Sequence, residues 1–126
     1  MNIIIKTKNI DPSPSMESFI HKKIGGLKKF LKIFSDNHLP IPGERDLFET
    51  FVEVEKETMH HRKGNIFKAE VKIYLPGRSL FAKATGDDLM KLINEIRDEL
   101  EREIRKYRTK IIDKPRREQM KKSRDL

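Results

Sequence analysis

A chain of 126 residues with 36% apolar and 38% charged residues holds one modest core and no second domain. The absence of cysteine excludes disulfides, thiol catalysis and Cys-ligated zinc. The net charge of +8 is lopsided: residues 102–126 hold 11 Lys/Arg against 4 Asp/Glu, whereas residues 1–101 hold 17 against 16, so a polyanion is the expected partner of the C-terminal part.

Residues 2–8 read as a first strand, rich in β-branched side chains. Asp11-Pro12-Ser13-Pro14 then signals a helix start, with Ser13 as N-cap and Pro14 at the first helical position. Met16, Ile20, Ile24, Leu27, Leu31 and Phe34 follow at helical spacing, widened by Phe19 and Phe30, and predict one continuous helix. Gly25-Gly26 inside it weakens helix propensity by about 2 kcal/mol relative to alanines and admits two explanations, a close approach to the sheet or a kink. Residues 35–48 read as a loop, with Pro40, Pro42 and Gly43.

Strand two is expected from Phe48 to Glu57. After a polar connection it is followed by the clearest alternation in the chain: Phe67, Ala69, Val71, Ile73 and Leu75 on one side, Lys68, Glu70, Lys72 and Tyr74 on the other. Pro76-Gly77 has type II turn chemistry, and strand four runs from Arg78 to Thr85 with Leu80, Ala82 and Ala84 inward. Gly86-Asp87-Asp88 opens a last helix, whose stripe Leu89, Ile93, Ile96, Leu100, Ile104, Tyr107 and Ile111 covers about six turns. The domain is thus expected at 1–112, with 113–126 a basic, disordered tail. The fold class is α+β: β-α-β-β-β-α, a four-stranded, mainly antiparallel sheet with two helices on one face.

Catalytic signatures are missing: no glycine-rich phosphate loop, no nucleophile elbow, no distinct carboxylate pair. The chain is therefore expected to be no enzyme and to need no cofactor, metal or small-molecule substrate. Adjacent His60-His61 lacks further ligands nearby and reads as part of a polar loop. No apolar run reaches the length of a membrane span and the N-terminus has no signal-peptide pattern, so no membrane partner and a cytoplasmic location are expected.

Angular placement at about 100° per residue locates the cations. On the first helix Lys22, Lys28, Lys29 and Lys32 fall on the solvent side and Lys23 beside the apolar stripe, where its stem packs and its ammonium reaches out. Residues 16–34 hold five lysines and a single acid, Glu17. On the last helix Lys91, Arg102, Arg105 and Lys106 face outward, and Lys110 follows in the final turns. One continuous basic ridge across both helices is the expectation.

Three segments carry a resemblance to a known family. They are Ser13-Pro14 with Met16, Ile20, Lys23-Ile24, Leu27, Lys29 and Phe30; Ala82-Lys83-Ala84 leading to Gly86-Asp87-Asp88-Leu89; and Ile93-Asn94, Leu100, Arg102, Ile104, Lys106 and Lys110. In this order and spacing over residues 2–110 the chain resembles the ribosome hibernation factors, in a short form. The resemblance implies a fold like that of double-stranded-RNA-binding domains. It also implies binding to ribosomal RNA in the decoding channel of the small subunit, which blocks mRNA and tRNA and silences translation under stress or in stationary phase. It makes Lys23, Lys29, Arg102, Lys106 and Lys110 the expected phosphate contacts. Met90 replaces an aromatic usual in the family, and Glu99 replaces a frequent lysine, which weakens the case for one contact. Two alternatives stand beside it: a double-stranded-RNA binder acting on other RNAs, disfavoured by the acidic Asp87-Asp88 helix start, and a protein-interaction module using Phe51, Tyr74 and Phe81 on the exposed sheet face. The isolated chain is expected to be a monomer, with weak dimerisation through that face as the variant.

Overall fold

The computed structural model describes residues 1–37, 48–57, 64, 66–75 and 77–113. The expected 38–47 part of the first loop, His60-His61, Pro76 and residues 114–126 lie outside these. The elements in chain order are β1 (Asn2–Lys8), α1 (Pro14–Gly25), α2 (Lys28–Asn37), β2 (Glu49–Glu57), β3 (Ile66–Leu75), β4 (Arg78–Gly86) and α3 (Leu89–Arg108), which runs on into a π-helical turn, Thr109–Asp113.

The four strands form one sheet in the order β1-β2-β3-β4. The pair β1–β2 is parallel, with Asn2 opposite Glu49 and Lys8 opposite Glu55, and the two later pairs are antiparallel. A parallel neighbour requires a crossover, and α1 and α2 supply it. All three helices pack on one face of the sheet, α1 and α2 against α3. The expected α+β architecture, with a four-stranded, mainly antiparallel sheet covered by helices on one face, is therefore that of the structure.

Period-two alternation fixes which face each strand buries. Val52, Val54, Ala69, Val71, Ile73 and Leu80 are fully or nearly fully enclosed, and Ile20, Ile24, Leu27 and Leu31 meet them from α1 and α2, as do Ile93, Ile96, Leu100 and Ile104 from α3. Each such side chain contributes about 1.5–3 kcal/mol of burial free energy. Local signals set the helix starts. Ser13 Oγ accepts from Met16 N at 3.1 Å with Pro14 behind it, and Asp88 Oδ1 accepts from Met90 N and Lys91 N at 3.1 and 3.3 Å. After β1 the chain turns through Asn9 at φ 60°, a conformation Asn tolerates, and its side-chain amide donates to the Lys56 carbonyl at 3.4 Å.

Three expectations need correction. The first helix is not continuous: it is interrupted at Gly26-Leu27, where Leu27 N donates to Ile24 O and Phe30 N to Leu27 O, both at 3.0 Å, in tightened i→i−3 turns. Of the two explanations for the glycine pair, the break is the one realised; a side chain at Gly25 would start 3.7 Å from Ile3 Cδ1, an ordinary contact rather than a clash. The break leaves Ile24, Leu27 and Leu31 all buried, so the apolar stripe survives it. The expected loop at 35–48 starts late, because α2 continues through Asn37. Finally, α3 loses regular α geometry after Arg108, where Thr109 Oγ1 donates back to Arg105 O at 3.0 Å.

Candidate nucleic-acid interface

The helix break shapes the charged surface. Between α1 and α3 runs a groove of about 400 Å³ lined by Lys22, Lys23, Gly26, Lys29, Asn94, Arg97 and Asp98. Gly26 keeps its floor open. Lys22 and Lys23 come from the last turn of α1, Lys29 from the first turn of α2, and Asn94 and Arg97 from the facing side of α3. The Lys23 ammonium lies 5.8 Å from the Phe19 ring centroid, its stem half-buried as the sequence suggested.

From this groove positive charge continues along α3. The Phe30 ring stands between two cations, with Lys29 Nζ 5.1 Å and Arg105 Cζ 5.6 Å from its centroid. Beyond Arg105, Lys106, Thr109 and Lys110 line an open depression at the end of the helix. Arg78 sits 5.0 Å over the buried Tyr107 and ties this end to β4.

Acids interrupt the line in specific places. Arg97 lies 3.2 Å from Asp98 and 3.6 Å from Glu101, and Glu101 also lies 3.8 Å from Arg105. Arg102 pairs with Glu99. An exposed pair such as Arg102–Glu99 is worth about 0–1 kcal/mol. By contrast Lys22, Lys23, Lys28, Lys29, Lys91, Lys106 and Lys110 form no ion pair with another described residue.

The structure distributes the cations of the expected ridge over several depressions. Lys22, Lys23, Lys29 and Arg105 lie on the α1–α3 side. Lys28 and Lys32 line an adjoining depression of about 630 Å³ that shares Gly26 and Lys29 with the α1–α3 groove and also takes in Gly25 and Phe48. Arg102 lines a different depression beside β4 with Phe81, Lys83 and Glu99. Lys91, on the first turn of α3, joins none of these. Angles measured on isolated helices do not show this distribution, because it depends on which side of a helix faces a neighbour. Arg97 was not singled out, and Asn94 only as part of the family resemblance, because their place on the groove shows only once the helices are side by side.

The open face of the sheet has a different character. Strand register puts Lys6, Lys8, Lys68, Lys72 and Lys83 on it with Glu49, Glu53, Glu55, Glu57 and Glu70, five of each sign. Four of these charges form two ion pairs, Lys8 with Glu55 at 3.7 Å and Lys68 with Glu57 at 3.4 Å. Phe51 meets Tyr74 edge-on at 5.6 Å, and Tyr74 and Phe81 are exposed. A neutral surface of this kind does not attract a polyanion. Among the described residues no cluster of three or more His, Asp or Glu is arranged to hold a metal ion, and no helix is long and apolar enough to cross a membrane.

A family model described as sigma 54 modulation protein / S30EA ribosomal protein matches residues 3–112. The chain is 27% identical over 114 residues to the ribosome hibernation promotion factor of Lactococcus lactis subsp. cremoris, covering 89% of this chain and 52% of that protein, about half its length. It is 26% identical over 110 residues to ribosome-associated factor Y of Haemophilus influenzae, covering 87% of this chain and 85% of that one. Among solved structures, a ribosomal subunit interface protein from Coxiella burnetii superposes with a TM-score of 0.62 at 20% identity, covering 86% of this chain and 99% of that one. The N-terminal domain of Thermus thermophilus Protein Y does so with a TM-score of 0.59 at 20% identity, covering 86% and 100%. At that identity the structures establish the likeness of fold.

Proposed function

The chain belongs to the sigma 54 modulation protein / S30EA ribosomal protein family, and from that premise we propose that it is a non-enzymatic ribosome hibernation factor. It binds ribosomal RNA in the decoding channel of the small subunit, excludes mRNA and tRNA, and silences translation under stress or in stationary phase. The observation that carries this reading is the convergence of Lys22, Lys23, Lys29 and Arg97 around Gly26. Backbone phosphates enter that groove, and Arg105, Lys106 and Lys110 follow the strand along α3. Lys28 and Lys32 meet the backbone in the adjoining depression, and Arg102 and Lys91 contribute at the periphery. The RNA is held by charge and shape, since few side chains here offer base-specific hydrogen bonding.

Sedimentation tests this. The chain should co-migrate with small subunits and with whole ribosomes, and should be displaced by mRNA with initiator tRNA and by high salt. Replacing Lys22, Lys23 and Lys29 together by alanine should abolish co-migration while leaving the melting temperature within a degree or two, because none of the three is in the core. Equal affinity for free duplex RNA and for ribosomes would instead favour a general double-stranded-RNA binder.

A further inference from the structure

Lys29 lines the basic groove between α1 and α3, and Arg105 lines the open depression at the end of α3. The ring of Phe30 joins the two, with its centroid 5.1 Å from Lys29 Nζ and 5.6 Å from Arg105 Cζ. The helix break sets the ring's place. Phe30 N donates to Leu27 O at 3.0 Å in the tightened turn where α2 starts. Leu27 and Leu31 are fully buried there, whereas Phe30 is half-buried: part of it packs on the core and the rest meets the two cations.

Like charges on neighbouring helices repel, and exposed Lys and Arg side chains spread over many rotamers. An anion that recruits both must order both, at the expense of affinity. An acid or an aromatic face can order a cation beforehand, with opposite consequences for an anionic ligand. A carboxylate offsets the charge it holds, as Glu101 does 3.6 Å from Arg97 and 3.8 Å from Arg105. A ring attracts the cation through its quadrupole and carries no net charge, and a guanidinium stacked on it keeps its edge N–H groups for a phosphate. Lys29 forms no ion pair with another described residue, so its partner is the ring alone in kind.

We propose that Phe30 is a positioning residue for RNA binding: its ring holds Lys29 and Arg105 as a preset pair, so that phosphates of one strand meet both without first having to order them. This role rests on the ribosomal reading above and adds to it a side chain that acts through its two neighbours. The ring also makes one continuous track of the groove at Gly26 and the depression at Lys106 and Lys110.

Binding of the labelled full chain to small ribosomal subunits, measured at several salt concentrations, tests this role. Phe30→Leu keeps an apolar side chain on the core and removes the quadrupole. It should weaken binding about tenfold, with the slope of log affinity against log salt unchanged, because every cation remains. Phe30→Trp should bind at least as well as the unaltered chain. In a Lys29→Ala, Arg105→Ala background, Phe30→Leu should change affinity by less than about twofold. In the free chain, ring-current shifts of the Lys29 and Arg105 side-chain protons should be present, and should vanish in Phe30→Leu. A ring that serves packing alone gives another pattern: an equal fall in both backgrounds, a lower melting temperature to match, and no advantage of Trp over Leu. That pattern, or unshifted Lys29 and Arg105 protons, would overturn the role. If the unaltered chain binds no subunits, the ribosomal reading falls and this role with it; if it binds and Phe30→Leu binds equally, this role alone falls.

Discussion

Individual side chains differ in how much of their role was legible in advance. Ser13 and Asp88 announce themselves as caps by type and position, and their oxygens make the expected bonds. Ser13→Ala should lower stability by about 1 kcal/mol, seen as a shifted urea midpoint with unchanged slope. Thr50 gave no such warning. Its position in the alternation of β2 puts it inside, where Oγ1 is buried with no hydrogen-bond partner. Thr50→Val, of similar shape, should therefore stabilise the chain by about 1 kcal/mol in the same urea titration. Among the cations, the sequence already contains the reason to rank Arg102 below Lys29. Glu99 stands three residues before Arg102 and pairs with it, whereas Lys29 has only the Phe30 face. Arg102→Ala is expected to weaken small-subunit binding less than Lys29→Ala does, as read from the two dissociation constants at one salt concentration.

Among the elements, strands were the most legible because a period of two survives any packing arrangement. The limits of β2, β3 and β4 lie within one residue of those the alternation suggested. Helix continuity was less so. The stripe from Met16 to Leu31 is unbroken in sequence, yet two adjacent glycines give the backbone enough freedom for a tightened turn that keeps Ile20, Ile24, Leu27 and Leu31 buried. Periodicity alone cannot separate these two outcomes. Gly25, with ordinary space beside it, should accept alanine and gain up to about 1 kcal/mol from helix propensity. At Gly26 the added carbon would start 3.2 Å from the Lys22 carbonyl oxygen and obstruct the basic groove. Gly26→Ala is thus expected to give the less stable protein of the two in parallel thermal melts, and the weaker ribosome binder.

For the whole molecule, net charge said less than its placement. The sequence showed the surplus at the C-terminal end; it could not show that the sheet face is neutral, because that balance arises from the register of all four strands. This placement has a measurable consequence for RNA binding. A plot of log affinity against log salt should lose about 0.7–0.9 from its slope for each phosphate-contacting lysine removed, at Lys22 or Lys106 alike. Exchanging Glu53 for glutamine on the sheet face should leave the slope unchanged.

The parallel pairing of β1 with β2 matters during synthesis as well. Asn2 meets its partner Glu49 only after 47 further residues have been made, whereas β2, β3 and β4 pair with immediate neighbours. The antiparallel meander and α3 can form from local contacts, and the first strand must wait, unpaired, for an edge to dock on. Its isoleucines are therefore expected to act late: Ile5→Val should speed unfolding and hardly change the refolding rate in a stopped-flow chevron. Until that docking, Ile3, Ile4 and Ile5 are a short, bare β-prone stretch on the emerging chain, and the lysines at 6 and 8 that follow give it some protection from pairing with the wrong neighbour.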